Sequence, residues 1–253
     1  MNEQSLIEEA KSIVMGAEKR NIKLRILGAI AIKLHSPRFS SLQEKLNRKL
    51  TDIDLVGYST QRNEIINFML ENEYEIDREL LEYIALSPRL IFKAKTGNFK
   101  IDVFLDKLEM CHTIDFRKRM EIDYPTISLS DLLLEKLQIV KINRKDIIDT
   151  IVLLREHEIG DREEREKINI KYIASILSRD WGFYYTVTQN LTKILSMLYE
   201  FEQLLPEDIE DLRNKIERIL QHLASEPKNL KWKLRAIIGP RLKWYNEVEE
   251  ILR

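Results

Sequence analysis

The sequence predicts a domain that mixes β-strands with α-helices, followed by an all-helical region. Up to about residue 127, short runs of alternating apolar and polar residues stand between segments whose apolar residues recur every three to four positions. Such a mixture indicates an α/β or α+β domain with a partly antiparallel sheet. After Pro125 the helical period continues almost to the last residue. We therefore expect two domains, residues 1–127 and 128–253.

The first domain opens with a predicted helix over residues 5–20, whose apolar residues share one face. A strand over residues 23–27 ends at Gly28, and a helix over residues 29–35 begins directly after that glycine. The remaining predicted elements are a short helix or structured loop opened by a capping box at Ser41-Leu42-Gln43-Glu44, a strand at 52–57, a helix at 63–72, and a hairpin of strands 89–95 and 99–105 around the turn Thr96-Gly97-Asn98.

The second domain is predicted to consist of helices separated by turns. Proline residues at 206 and 227 mark two of these turns, because proline ends a helix that approaches it. The predicted elements are two helices within residues 130–154 that meet near Asn143, a charge-rich link at 161–167, and helices at 171–179, 187–204, 207–224 and 230–252.

Composition excludes several classes of protein. The 253 residues are 44% hydrophobic and 33% charged, and no apolar run is long enough to cross a bilayer. We therefore expect a globular protein that does not bind membranes. The N-terminus does not look like a signal peptide, and the single cysteine, Cys111, rules out an internal disulfide. Both observations favour the cytoplasm. The net charge of −1 provides no global attraction for nucleic acid, so such binding would need a local basic patch.

Asp52 and Asp54 are carboxylates separated by one apolar residue within a predicted strand. Because strand side chains alternate between faces, both acids would share one face, with Ile53 and Leu55 directed into the core. Two like charges this close repel each other unless a cation lies between them. The pair suits Mg²⁺, which binds through one or two carboxylates together with substrate phosphates. The alternative is a pair of exposed acids on an edge strand.

Three further features favour phosphate chemistry at this pair. Gly28 ends one strand and opens a helix, and the N–H groups of a helix N-terminus are a place where phosphates bind. Asp102 lies within an apolar run, where a buried acid requires a partner. The basic residues Arg48 and Lys49 precede the acid pair.

These residues together resemble the nucleotidyltransferase superfamily with the DNA polymerase β-like fold. Its signature is a strand, a Gly-Gly or Gly-Ser turn into a helix, Asp-x-Asp on the next strand and a third Asp on a later one. The resemblance covers about residues 20–155 and implies an α+β fold with a mixed sheet. The matching segments are Gly28-Ala29, Asp52-Ile53-Asp54 and Asp102, and the stretch from Arg48 through Thr51 to Leu55 resembles abortive-infection toxins and minimal or antibiotic-modifying nucleotidyltransferases.

A later segment resembles further motifs of the same toxins, in which a Lys-Leu pair on one helix precedes Lys-Asp-x-x-Asp on the next. Here these are Lys136-Leu137 and the stretch from Lys145 to Asp149. The resemblance implies that Lys136 contacts the nucleotide triphosphate and that Asp146 or Asp149 lines the site. The alternatives are a solvated lysine and acids that cap a helix or pair with neighbouring cations.

The activity that the resemblance implies is Mg²⁺-dependent transfer of a nucleoside monophosphate from an NTP to an acceptor hydroxyl, with release of pyrophosphate. Asp52 and Asp54 would hold Mg²⁺. Asp102 would complete a second metal position or act as general base. The nucleotide would also contact Gly28, Ala29, Arg48 and Thr51. The acceptor would be a protein, a tRNA or a small molecule, and an antitoxin partner is implied by the likeness to the toxins.

Two departures from the superfamily pattern favour a different class, a catalytically silent module that binds nucleotide or protein. Ala29 stands where Ser or Gly is usual, so phosphate contact would rest on backbone N–H groups, and residues 35–50 form an insertion before Asp52. A metal-dependent nuclease is a third class, for which the turn at Gly28 has no use.

The C-terminal stretch from Lys228 to Trp244 is basic, contains two tryptophans and lacks acidic residues. Such a segment could hold an RNA backbone and stack bases, which would suit a tRNA acceptor. The alternative is a helix pair with solvated charges and both tryptophans in the core.

Overall fold

The computed structural model describes residues 3–76, 87–94 and 99–248. It is an α+β protein with a mixed sheet and a largely helical C-terminal region, as the sequence predicts. The chain forms two compact units, which differ from the predicted contiguous domains because residues 35–48 and 109–113 group with the later helices. Unit 1 comprises residues 1–34, 49–108 and 114–128, and unit 2 comprises residues 35–48, 109–113 and 129–253.

The described residues of the first half contain the predicted elements, close to their predicted bounds, and three short strands that the sequence pattern did not predict. In chain order they are α1 (Glu3–Glu18), β1 (Leu24–Leu27), α2 (Gly28–His35), α3 (Ser40–Lys45), β2 (Ile53–Gly57), α4 (Arg62–Glu71), β3 (Tyr74–Ile76), β4 (Arg89–Ala94), β5 (Lys100–Leu105), β6 (Lys107–Glu109) and β7 (Thr113–Asp115).

Unit 1 is built on a five-stranded sheet with the strand order β1-β2-β5-β4-β3. Strands β2 and β5 are parallel, and the other neighbours are antiparallel. Ile53 and Leu55 of β2 are completely buried, as the alternating pattern predicts. Helix α1 buries its predicted apolar face, which consists of Leu6, Ile7, Ala10, Ile13, Val14 and Ala17.

Unit 2 consists mainly of helices, several of which begin at a side chain that accepts a hydrogen bond from the first turn. Asn143, Asn169, Asp180 and Asn229 act in this way, which satisfies backbone N–H groups that have no partner within the helix. The elements are α5 (Leu129–Leu137), α6 (Arg144–Glu156), β8 (Glu158–Gly160), β9 (Lys167–Asn169), α7 (Ile170–Leu177), α8 (Trp181–Met197), α9 (Pro206–Ser225) and α10 (Leu230–Ile238).

Several elements differ from the sequence-based prediction. Helix α10 ends at Ile238, because Gly239 adopts a φ of +63° and Pro240 follows it, and residues 249–252 of the predicted helix lie outside the described residues. Helix α3 has Phe39 at its N-cap and no side-chain capping bond, so the predicted capping box does not form. Short strands such as β3 and the parallel pair β8–β9 carry too few residues for a period to be visible. The predicted turn at residues 96–98 lies outside the described residues.

His112 is a buried histidine in the core of unit 2. Its ring stacks on Phe183 with the centroids 4.8 Å apart, and Nε2 lies 2.8 Å from the Thr186 hydroxyl. Burial lowers the pKa of His112 to about 4, and the charge of Asp180 opposes this shift only in part. The neutral imidazole is therefore the form that the folded protein accommodates.

Replacing His112 by Gln should flatten the pH dependence of stability. The unfolded chain binds a proton near the ordinary histidine pKa of about 6.5, whereas the folded protein binds one only near pH 4. Stability due to His112 is thus present above pH 6.5 and lost as the pH falls toward 4. Urea unfolding at pH 7 and pH 5 should show a loss about 2 kcal/mol smaller in the variant than in the wild type. Equal losses in the two proteins would contradict this.

Candidate active site

The close approach of Gly28 to Asp54 is the central feature of the candidate site in unit 1. Strand β1 pairs with β2 so that Leu27 lies opposite Asp54, and Gly28 then turns the chain into α2. Gly28 has a φ of +73°, a conformation that glycine adopts without a steric penalty. A Cβ atom at this position would lie 2.6 Å from Oδ2 of Asp54. Both the backbone angle and the lack of space therefore require glycine here.

Asp52 and Asp54 lie at the start of β2 beside this turn. Both are half-buried, and Asp52 immediately precedes the first strand residue, Ile53. The N-terminus of α2 carries a partial positive charge, which favours an anion nearby. A phosphate at this turn and the carboxylate of Asp54 would repel each other, and a divalent cation that binds both removes the repulsion. Thr51 is exposed and Ala29 is half-buried at the neighbouring positions.

Asp102 lies on the parallel neighbour β5, directly opposite Asp54. Side chains at paired positions share a face of the sheet, so the third acid lies on the same face as Asp54. Asp102 is only 3% exposed. Asp54 and Asp102 thus lie on the adjacent strands β2 and β5 of unit 1, and Asp52 directly precedes β2.

Arg89 is a partner of Asp102 that sequence reasoning missed. Its Nε donates to Oδ1 at 3.1 Å and a terminal nitrogen donates to Oδ2 at 2.5 Å, while the guanidinium lies 5.1 Å from the ring centroid of Phe104. Strand β4 brings Arg89 there by pairing it with Phe104, two residues beyond Asp102. A shift of β4 by two residues along β5 would leave the same side chains on each face of the sheet. The sequence pattern therefore cannot predict this contact, and only the observed register reveals it.

The fit of the site to metal ions follows from these contacts. Within residues 3–76, 87–94 and 99–248, no group of three or more His, Cys, Asp or Glu side chains is arranged to hold a metal ion. Two carboxylates, however, suffice for Mg²⁺ when phosphate oxygens and water complete its shell. The chemistry of Asp52 and Asp54 therefore fits one ion bound with its substrate, whereas both oxygens of Asp102 already accept hydrogen bonds from Arg89.

The other predicted site residues, Arg48, Lys136, Asp146 and Asp149, lie in unit 2. Asp149 is completely buried on α6. Arg48 holds it with two parallel hydrogen bonds, Nε to Oδ1 and a terminal nitrogen to Oδ2, both 3.0 Å long. Gln43 adds a third bond of 3.3 Å. The buried carboxylate is thus paired and hydrogen-bonded, as a buried charge must be.

Lys136 is 7% exposed and lies among three carboxylates of unit 2. Its Nζ is 3.3 Å from Glu135, 3.3 Å from Asp149 and 3.8 Å from Asp146. Burial lowers the pKa of Lys136, but the carboxylates of Glu135, Asp149 and Asp146 outweigh it and raise that pKa above its usual value. Lys136 is therefore a buried, charged member of an ion network and not a solvated helix lysine. Asp146 lies in the first turn of α6, whose cap is Asn143.

Comparisons with known proteins give weak structural likenesses. No family model and no curated protein matches the chain. The solved structure of the antibiotic-resistance factor ANT(2'')-Ia is 15% identical over 60% of this chain and 83% of its own, with a TM-score of 0.41. An antigenic nucleotidyltransferase-like protein from Paracoccidioides brasiliensis is 13% identical over 90% of this chain and 96% of its own, with a TM-score of 0.43. Both TM-scores are below 0.5, so a function for this chain has to be inferred from its own residues.

Replacing Gly28 or Gly239 by Ala should separate the two roles of Gly28. Both glycines have positive φ, but a Cβ at Gly239 meets no atom within 4 Å. Each variant should therefore lose about 1 kcal/mol of unfolding free energy for its backbone angle, measured by urea denaturation. Only G28A should also displace the Asp54 carboxylate, so it should lose more unfolding free energy than G239A. A loss for G28A no larger than that for G239A would contradict the close contact with Asp54.

Replacing Asp149 by Asn should destabilise the protein strongly. The change leaves Arg48 and Lys136 buried with one carboxylate fewer, and breaking a buried ion pair costs about 3 kcal/mol. Asp115→Asn is the matched control, because its pair with Arg117 is exposed and should be worth less than about 1 kcal/mol. Urea unfolding curves of both variants and the wild type provide the measurement. A loss for D149N no larger than that for D115N would show that the network does not stabilise the fold.

Proposed function

We propose that this protein is a Mg²⁺-dependent nucleotidyltransferase that transfers a nucleoside monophosphate from an NTP to an acceptor hydroxyl and releases pyrophosphate. The observation that carries this proposal is the contact between Gly28 and Asp54. It brings a helix N-terminus, which favours phosphate, against a carboxylate, which favours a cation. A nucleotide bound together with a metal ion satisfies both preferences.

The three acids Asp52, Asp54 and Asp102 have different roles in this proposal. Asp52 and Asp54 would hold the ion, which when bound neutralises charge on the triphosphate as pyrophosphate leaves. Backbone N–H groups at Gly28 and Ala29 would orient the phosphates, since neither residue offers a polar side chain. Because Asp102 accepts hydrogen bonds from Arg89, we propose one ion instead of two. The Arg89 guanidinium would supply positive charge on that part of the sheet.

For the predicted site residues of unit 2, only the superfamily resemblance supports a contact with nucleotide. Arg48, Lys136, Asp146 and Asp149 form an ion network in which each cation already has carboxylate partners. We propose that this network mainly holds α6 and the segment before β2 in place. The toxin-like pattern, and with it an antitoxin partner, remains a hypothesis.

A second candidate function is a catalytically silent module that binds nucleotide. The two hydrogen bonds from Arg89 to Asp102 favour it, because they occupy the carboxylate that would otherwise deprotonate the acceptor. The two functions differ in a simple measurement. The silent module binds Mg²⁺–nucleotide without releasing pyrophosphate, whereas the enzyme releases it in the presence of a protein, tRNA or small-molecule acceptor.

Changing Asp52 and Asp54 together to Asn should remove the activity. The loss of both carboxylates removes several kcal/mol of metal-based stabilisation, so pyrophosphate release should fall by about 1,000-fold or more. Mg²⁺-dependent nucleotide binding, measured by calorimetry with each NTP, should weaken in parallel. Asp161→Asn is a suitable control, since Asp161 is exposed and lies in unit 2.

Unchanged Mg²⁺-dependent nucleotide binding by the double variant would overturn the metal role of the two acids. Wild-type protein that binds nucleotide but releases no pyrophosphate with any acceptor class would favour the silent module.

A further inference from the structure

Helix α10 exposes an unusual row of aliphatic side chains. Leu230 is 73% exposed, Leu234 56%, Ile237 78% and Ile238 41%. These four positions are spaced i, i+4, i+7 and i+8, which places them along one side of a helix. We call these four residues the α10 stripe. A single exposed leucine is ordinary, but a continuous aliphatic row on a helix indicates an interaction surface.

The opposite side of α10 anchors the helix to unit 2. Trp232 Nε1 donates to the carbonyl oxygen of Leu177 at 3.0 Å, and its ring meets that of Tyr184 edge-on. The Arg235 guanidinium lies 4.5 Å from the ring centroid of Trp181. Helix α10 therefore directs its aromatic side inward and leaves its aliphatic side exposed.

The chain segment that carries the α10 stripe is rich in lysine and arginine. Residues 228–243 contain no acid. At 100° per residue, the exposed Lys231 and Lys233 fall on the two sides of the stripe. Arg241, which is exposed, follows shortly after the helix, whereas the exposed Lys243 pairs with Glu247 at 2.8 Å. A partner that covers the aliphatic row would therefore place its own edges beside positive charge.

We propose that the α10 stripe docks an amphipathic helix of another protein, with aliphatic residues facing the stripe and Asp or Glu on both sides of them. In such packing of one helix on another, the apolar anchors give affinity and the flanking charges give specificity. Positive charge at both edges of the row matches acidic flanks in either helix direction.

Other occupants fit these observations less well. A second copy of this chain would bring Lys231 and Lys233 against like charges. An RNA would meet the aliphatic row between the lysines, and Trp232, the one aromatic residue of α10, is turned inward and is not available for stacking. An anionic membrane would attract the lysines, but interfacial helices commonly expose aromatic residues to the lipid, and Trp232 is turned inward and hydrogen-bonded.

The test uses the full chain and a designed helical probe. The probe is a fluorescein-labelled 18-residue peptide with leucines along one side and glutamates on both flanks, and the control peptide has lysines in place of the glutamates. Fluorescence anisotropy should show saturable binding of the acidic peptide that weakens with salt, and at least ~10-fold weaker binding of the basic peptide. The double variant Leu234→Ser/Ile237→Ser should reduce affinity for the acidic peptide by ~10-fold or more. Leu70→Ser, at an exposed leucine of unit 1, should leave it unchanged.

Several outcomes of these experiments would overturn the proposal. No binding of the acidic peptide, or equal binding by wild type and the double variant, would overturn the proposal. Preferential binding to vesicles containing phosphatidylglycerol, lost in the double variant, would replace the protein partner by a membrane and also overturn it. Concentration-dependent dimerisation in sedimentation experiments, abolished by the same variant, would make the occupant a second copy and overturn it as well. Both substitutions are at exposed positions, so an unchanged urea midpoint would show that the fold is intact.

Discussion

The absence of a side chain at Gly28 is the constraint on which the candidate site depends. The end of β1 pairs with β2 at the position of Asp54, so the chain leaves the sheet directly against that carboxylate. A side chain larger than hydrogen would occupy the space within 2.6 Å of its oxygen. The resulting arrangement combines a helix N-terminus with an acid, and their opposite preferences for charge explain why a phosphate and a cation would be bound together.

The acids of this protein illustrate how surroundings decide the use of a carboxylate. Asp52 and Asp54 are half-buried at the start of β2, where Asp54 lies against the turn at Gly28. Asp149 is completely buried and holds two cations and an amide, so it serves the fold of unit 2. Asp102 stands between these cases, because it faces Asp54 across the parallel pair but accepts two hydrogen bonds from Arg89. Asp149 and Asp102 therefore show that a buried carboxylate of this chain is held by cationic hydrogen-bond donors.

In helix α10, the surroundings likewise decide which apolar side chains are buried and which are exposed. The sequence places tryptophan, leucine, isoleucine and lysine within one short segment, from which either a buried helix or a nucleic-acid surface could be predicted. The fold turns Trp232 inward, where its N–H group finds the Leu177 carbonyl, and leaves the α10 stripe outward. Gly239 and Pro240 end the helix after nine residues, so the stripe is short and defined. Among the described residues, no helix is both long and apolar enough to cross a membrane.

Local pattern was enough to predict the α+β class, the turn at Gly28, the strand that follows Asp52 and the junction of two helices at Asn143, because each depends on periodicity, capping or a single backbone angle. Neither the partner of a buried charge nor the outward side of a helix could be predicted in this way. Arg89 reaches Asp102 through the register of β4 on β5, and Arg48 reaches Asp149 across a separation of 101 residues. Contacts between residues far apart in the chain arise only when strands pair and helices pack, which the tertiary structure alone determines.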